Sequence, residues 1–405
     1  MEAMTENKGV PTLRFREFSD SYEEYKLSQL LNRYSEKNKD EEFKIDDILS
    51  LSSKYGIVDR KTILGDTYDK VNHLAYIKTR YNDFVYGKSI SSNYPFGLFK
   101  ANKCRDGLLS TLYFTFKVSN LTTSDYLDCY FRHLNRTNNF LKQFVIVGDR
   151  YITADANFLL SGEITIPTLP EQKKIATFLS LVDEKLQQLT KKKSLLADYK
   201  KGIMQKIFSQ ELRFKDANGN NYPDWEEKKL GELFEFKQGV QCGVESQYFE
   251  SKDGLIRFIR IVDLTKDEES IRFIEDPGSS HHISFDDLFM VRYGNVGCVG
   301  YGYEGVLANN LFRIIPKNKT VIHNNFFHFV FKFKQRQFEL LASTSTMPAL
   351  NFTSLKTLKL KLPKLEEQKK IANLLSALDA KIEAVSTQIN NTQAFKKGLL
   401  QQMFV

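Results

Sequence analysis

The residues of this chain that could do chemistry are scattered, and none of their spacings builds a reaction centre. Gly300-Tyr301-Gly302-Tyr303-Glu304-Gly305 fits the GxGxxG pattern of a dinucleotide-phosphate turn. That turn works where a strand feeds a helix N-terminus, with an acidic residue about 20 positions further on. Here the run 306–315 has the alternation of a strand, and the acid is missing. Gly87-Lys88-Ser89 ends like a P-loop, but Asn82 stands where the first glycine belongs. Pro223-Asp224 with Glu226-Glu227-Lys228 has nuclease-type residues, packed too closely to set metal carboxylates on two strands. His281 and His282 adjoin, while His323 and His328 have no cysteine nearby, so no zinc set forms. No Asn-Pro-Pro-Tyr or Asp-Pro-Pro-Tyr tetrapeptide supplies an amino-methyltransferase centre. No catalytic residue and no metal site is expected.

What remains is binding chemistry. Polar and basic loops alternate with aromatics. One runs from Tyr86 through Lys88 and Asn93 to Lys100, Asn102, Lys103 and Arg105. Another runs from Arg292, Tyr293 and Asn295 through a Gly/Tyr loop to Asn309, Asn310 and Arg313. Arginine and lysine reach guanine edges, asparagine pairs with adenine, and all of them reach phosphates. The expected DNA contacts are therefore Lys88, Asn93, Lys100 and Arg105 in the first half, and Arg292, Asn295, Asn309 and Arg313 in the second. The loop 343–348, Ser-Thr-Ser-Thr-Met-Pro, is a further polar segment. A formal net charge of +8 and a pI near 9.0 are compatible with an acidic partner without requiring one.

The elements that must position these loops come from an internal repeat. Residues 166–208 and 362–404 align without a gap at an offset of 196, with 17 of 43 positions identical. Both copies carry EQKKIA near the start and KKG near the end. A 4,3 spacing picks out Ile175, Leu179, Val182, Leu186 and Leu189 in one copy, and Ile371, Leu375, Leu378, Ile382 and Val385 in the other. A sustained period of about 3.5 residues is an interhelical seam. Lys200 and Lys396 fall on that seam at the same place in each copy. The first helix leaves one domain and ends at the next, and the second must return, so paired helices run antiparallel. The starts of the two halves also match: Leu13-Arg14-Phe15-Arg16 with Leu212-Arg213-Phe214-Lys215, and Tyr22-Glu23-Glu24 with Trp225-Glu226-Glu227. A weaker echo links Gly107-Leu108-Leu109-Ser110 to Gly305-Val306-Leu307-Ala308.

Between these markers the halves diverge. Strands are expected at 112–118, 144–147, 255–261, 311–315 and 358–362, and helices at 125–134 and 325–341. The chain is 41% hydrophobic, which is globular rather than disordered. Four separated cysteines with no CxxC pair point to free thiols in a reducing compartment. With no signal-like N-terminus and no long apolar run, a cytoplasmic location and no membrane contact are expected.

The LPEQKKIA and LEEQKKIA openings, the KKG closings and the LRF…WEEKKLGELFE stretch at 212–235 resemble the specificity subunits of type I restriction–modification systems, along essentially the whole chain. Tyr22 in place of tryptophan is a departure at the first domain's start. The resemblance implies an α+β fold: two mixed α/β target-recognition domains separated by two long helices forming an antiparallel coiled coil, pseudo-twofold. The implied boundaries are 1–165, 166–211, 212–361 and 362–405. It further implies double-stranded DNA, two methyltransferase subunits and two restriction subunits as partners. S-adenosylmethionine, ATP and Mg belong on those partners, and no cofactor on this chain. Each domain would read one half of an interrupted target, with the helices as a ruler. A helix over 171–208 is about 57 Å long, and half-sites one helical turn apart, about 34 Å, fit within that. The competing expectation is a coiled-coil scaffold carrying two protein-binding domains. The seam residues and EQKKIA blocks are assigned to architecture and methyltransferase docking.

Overall fold

The computed structural model describes residues 10–65, 72–148, 152–266, 269–342 and 349–405; the 343–348 loop lies outside them. The fold is mixed helix and sheet, with two long helices, Leu169–Phe208 and Leu365–Gln402, packed antiparallel. Chain contacts divide it into two units, Met1–Thr190 with Thr387–Val405, and Lys191–Ser386. Each unit therefore holds one variable domain, the near half of its own outgoing helix, and half of the other helix.

In the first unit, Glu23–Lys26 pairs antiparallel with Glu163–Ile166, immediately before the first long helix. A four-stranded antiparallel sheet follows in the order Leu31–Tyr34, Tyr113–Val118, Phe84–Gly87, Leu98–Ala101. Its inner face supplies Phe84, Phe99 and Phe116. These join Tyr126 and Phe131, Ile175 and Leu179 from the first long helix, Leu399 from the second, and Met403 and Phe404 just past its end in one core.

The second unit repeats the plan. Glu226–Lys229 pairs with Lys359–Leu362 before the second long helix. Its sheet runs Phe234–Gln238, Leu311–Pro316, Leu288–Val291, Val299–Gly300. Ile207 from the first long helix and Ile371, Leu375 and Leu378 from the second complete its core. The weak Gly-Leu-Leu/Gly-Val-Leu echo falls on strands in both units, Gly107–Leu109 and Gly305–Leu307.

The expected strands are found within a residue or two of their ends. The two expected helices differ from what is found. The first, expected over 125–134, ends at Tyr130, and a separate helix, Leu134–Leu141, follows, because the His133 ring accepts from the Arg136 amide and starts a new N-terminus. The second splits into Asn324–Phe333 and Gln335–Leu341 at Lys334, whose ψ of 7° leaves the helical well.

The repeated EQ residues face inward. Glu171, Gln172, Glu367 and Gln368 are all 0% exposed. Glu171 accepts from Arg14 Nε at 2.9 Å, Arg14 Nη2 at 2.7 Å and the Tyr22 hydroxyl at 3.1 Å. Glu367 accepts from Arg213 at 3.3 Å and from Trp225 Nε1 at 3.0 Å. The Tyr22 departure is thus a substitution of one donor for another: phenol and indole reach the same buried carboxylate. Burial, with the Glu171 charge, pushes the Tyr22 phenol well above its ordinary value, so it stays a donor. Gln172 donates to the Pro167 and Leu121 carbonyls, and Gln368 donates to those of Pro363 and Val321. These bonds serve architecture.

The seam lysines carry the helix pairing. In the first unit Lys396 pairs with Asp183, which also binds Arg132 of the variable domain at 2.5 Å. In the second unit Lys200 pairs with Asp379 at 2.5 Å. Asp183 and Asp379 occupy the same position of the repeat, as do Lys200 and Lys396, so the two pairs are one interaction made twice.

Candidate nucleic-acid interface

In the first unit the end of the sheet brings Lys88 and Arg33 to one ring. Lys88 follows directly on the strand Phe84–Gly87, and Arg33 lies on Leu31–Tyr34. The strand between them, Tyr113–Val118, carries Phe114. Lys88 Nζ stands 4.4 Å and the Arg33 guanidinium 4.8 Å from the centre of the Phe114 ring. No carboxylate pairs with either among the described residues. Partial burial, and then the Arg33 charge, lower the Lys88 ammonium below its ordinary range.

The other expected residues of this domain are placed differently. Asn93 is exposed on a loop, its carbonyl accepting from Asn138. Lys100 is 17% exposed and lies 3.5 Å from Asp128. Burial opposes ionisation of Asp128, but Lys100 and Arg132 prevail and hold its carboxyl below the usual range. Arg105 is bound by Asp47 at 2.8 Å and Asp59 at 2.5 Å. A cation already held by carboxylates gains less from a phosphate than an unpaired one.

In the second unit, Arg292 follows Leu288–Val291 as Lys88 follows Phe84–Gly87, and those strands hold equivalent places in their sheets. Its guanidinium lies 4.5 Å from the Phe352 ring and 5.0 Å from Tyr293. It donates to Gln238 Oε1 at 2.7 Å and to the Leu350 carbonyl at 3.1 Å. Gln238 also donates to the Asn309 carbonyl, and the Asn309 amide donates to Gln241. Arg292, Gln238, Asn309 and Gln241 thus form one connected polar surface. Asn295 is exposed on the adjoining Gly294–Gly297 turn. Arg313 is turned to Asp287, with two bonds of 2.9 Å, and to the His282 carbonyl.

Arg33, Gln238 and Gln241 were missed from sequence. Arg33 sits on a four-residue strand with no flanking loop signal. Gln238 and Gln241 flank a Gly-Val pair after the strand Phe234–Gln238, a polar strand end that could have marked them.

Nothing else among the described residues assembles a reaction centre. The GxGxxG stretch leads into the strands Gly305–Leu307 and Leu311–Pro316, so no helix N-terminus faces it. The Glu36, Asp40 and Glu42 carboxylates come together, but the Lys78 ammonium lies 2.7–2.9 Å from all three. Hydrogen bonds from Arg80 and then Lys78 hold Glu42 down to about 2. No described helix is long and apolar enough to cross a membrane.

Residues 222–392 match the family model described as the type I restriction modification DNA specificity domain. The match lies in the second half of the chain and covers less than half of its length. The chain is 28% identical over 260 residues to a putative type I restriction enzyme MjaX specificity subunit of Methanocaldococcus jannaschii, across 59% of this chain and 57% of that one. It is 25% identical to the MjaVIII specificity subunit of the same organism, across 59% of this chain and 60% of that one. The match therefore spans less than two thirds of either relative. The fold is similar to the crystal structure of the S subunit of the type I restriction–modification system from M. genitalium. The TM-score is 0.62 at 17% identity, over 98% of this chain and 99% of that one.

Proposed function

We propose that this chain is a specificity subunit, the sequence-reading, non-catalytic member of a type I restriction–modification assembly. Its ligand is double-stranded DNA. Each recognition domain reads one half of a bipartite target, and the two long helices fix the unread gap. Two methyltransferase subunits carry S-adenosylmethionine and modify adenine N6. Two restriction subunits use ATP and Mg to translocate and cut. The work takes place in the cytoplasm.

One observation carries the reading. Two domains with unlike loops keep a basic residue at the same sheet position, Lys88 and Arg292, each against an aromatic ring and, among the described residues, without a carboxylate. A protein-binding scaffold gives no reason for that coincidence, whereas phosphate and base-edge contacts do.

The test is a methylome. The methyltransferase partner is expressed in a methylation-free host, with and without this chain, and modified adenines are mapped. A two-part motif with a fixed gap, present only with the chain, is the expected result. Exchanging residues 212–361 for those of another specificity subunit should change one half of the motif and leave the other. A complex that forms without any modified motif would favour the scaffold.

A further inference from the structure

The paired cations on Phe114 are the most specific feature that the reading above leaves unassigned. Lys88 and Arg33 come from strands on either side of the one that carries the ring, and their charged groups stand 4.4 and 4.8 Å from its centre. Their alternation along the strands puts both on the same sheet face as Phe114 and Phe116. Elsewhere in this domain cations that meet are separated by acids: Lys78 and Arg80 share Glu42, and Lys100 and Arg132 share Asp128. At Phe114 no acid intervenes among the described residues. Two like charges held over one ring, with a partly buried lysine, are left for an anion supplied from outside.

We propose that Arg33 and Lys88 form a seat for one backbone phosphate of DNA, so that the first domain is registered on the duplex here rather than reading a base. The proposal rests on the DNA-binding reading and deepens it. The second unit lacks the seat. The residue in register with Arg33 is Phe236, two positions into the equivalent strand, and Arg292 is committed to Gln238 and the Leu350 carbonyl. Phe114 fixes the approach of both cations by their attraction to its face. A phosphate between them would take hydrogen bonds from a guanidinium and an ammonium at once.

The experiment uses the full chain assembled with its methyltransferase partner. Arg33→Ala, Lys88→Ala and the double variant are titrated with target duplex and with an unrelated duplex of equal length, across a salt series. Cognate and unrelated affinities should fall by the same factor. The slope of log K against log salt should shrink by about 0.9 for each cation removed. The exchange Arg33→Lys with Lys88→Arg keeps both charges and should keep the slope, which separates charge loss from misfolding. Neutral methylphosphonate at one duplex position should weaken the wild type and leave the double variant unmoved.

An unchanged slope, or a loss confined to cognate DNA, overturns the phosphate assignment while leaving DNA recognition intact. Inorganic phosphate at constant ionic strength should displace no DNA; selective displacement would give the seat to a free anion. A wild-type assembly without salt-sensitive DNA binding overturns the parent reading itself.

Discussion

Replacing Glu171 by glutamine tests the idea that the repeated EQ residues lock each long helix to its recognition domain. The carboxylate is fully buried and accepts three bonds, two from Arg14 and one from Tyr22. Glutamine keeps the shape, but it removes the charge and points an N–H2 at donors. Arg14, whose side chain is 14% exposed, would be left without its ionic partner in a nearly dry site. Breaking a buried pair costs about 3–5 kcal/mol; the residual exposure of Arg14 places this site near the lower end, about 3 kcal/mol. Tyr22→Phe removes only one bond to an ionised acceptor, about 1.5 kcal/mol, because Arg14 still satisfies the carboxylate. For a unit of this size, about 2–4 °C is lost per kcal/mol, so Glu171→Gln should lower its melting temperature by about 6–12 °C. Calorimetry gives the shift, and amide exchange in the first turns of Leu169–Phe208 localises it. Glu367→Gln supplies the ranking. Its arginine bond is longer, at 3.3 Å, and one carboxylate oxygen has no hydrogen-bond partner, so the loss should be the smaller of the two. A Glu171→Gln shift below about 2 °C, under the 6–12 °C worked above, or a reversed ranking, would refute the lock.

Three further outcomes follow from named contacts. Asp183→Asn strands Lys396 and takes one of the two carboxylate partners of Arg132, leaving Asp128, and should cost more than Asp379→Asn, which takes a partner from Lys200; denaturant midpoints of the two variants decide the order. His328 is 9% exposed, and burial, followed by the Lys332 and Lys200 charges, pushes its imidazole from 6.5 down to about 3. Its contribution to stability is complete above the unfolded value and is lost as pH falls from about 6.5 toward 3; His328→Phe should therefore remove about one proton, or about 1.4 kcal/mol per pH unit, from the acid-unfolding slope between pH 6 and 4, and an identical slope would show that His328 takes no part. Arg292→Ala frees Gln238 and the Leu350 carbonyl, and should relax modification at one half-site while the other half stays as stringent; equal loss at both halves in the methylome would rule out a local role.

The scaffold was legible in the sequence because its signals are local or repeated. The 4,3 spacing marked Ile175, Leu179, Ile371 and Leu375, all buried, and the aligned copies placed Lys200 and Lys396 on the seam. The EQ tokens were legible as a repeat but not as a lock, since Arg14 lies 157 residues from Glu171 and their meeting depends on the strand pair Glu23–Lys26 with Glu163–Ile166. The interface was harder to read for the same reason. Residue type marked Lys88 and Arg292 equally with Arg105 and Arg313. Only tertiary contacts separate the first two, which rest on rings, from the last two, which rest on Asp47, Asp59 and Asp287. Arg33 carried no local signal at all: its meaning comes from a strand neighbour 81 positions away.

Having two copies in one chain separates what holds each unit together from what distinguishes them. Where the copies differ inside the lock, Tyr22 against Trp225, the exchanged side chains keep a donor on the same carboxylate. Where they differ at the sheet end, Arg33 against Phe236, a cation is replaced by an apolar ring and the polar surface is rebuilt from Gln238, Asn309 and Gln241. The first kind of change preserves an interaction, while the second alters what the surface can bind. A frame that tolerates only the first kind can carry surfaces that undergo the second. That explains how one sheet plan can present two cations over a ring in one unit and an arginine–amide network in the other. The division makes a sharp demand on chimeras. An exchange of residues 234–241 alone would carry a new polar surface without its Arg292 and Asn309 partners, and should abolish rather than redirect one half-site. An exchange of 212–361 carries the whole network together with the positions of Arg213 and Trp225, the donors to Glu367, and should redirect it.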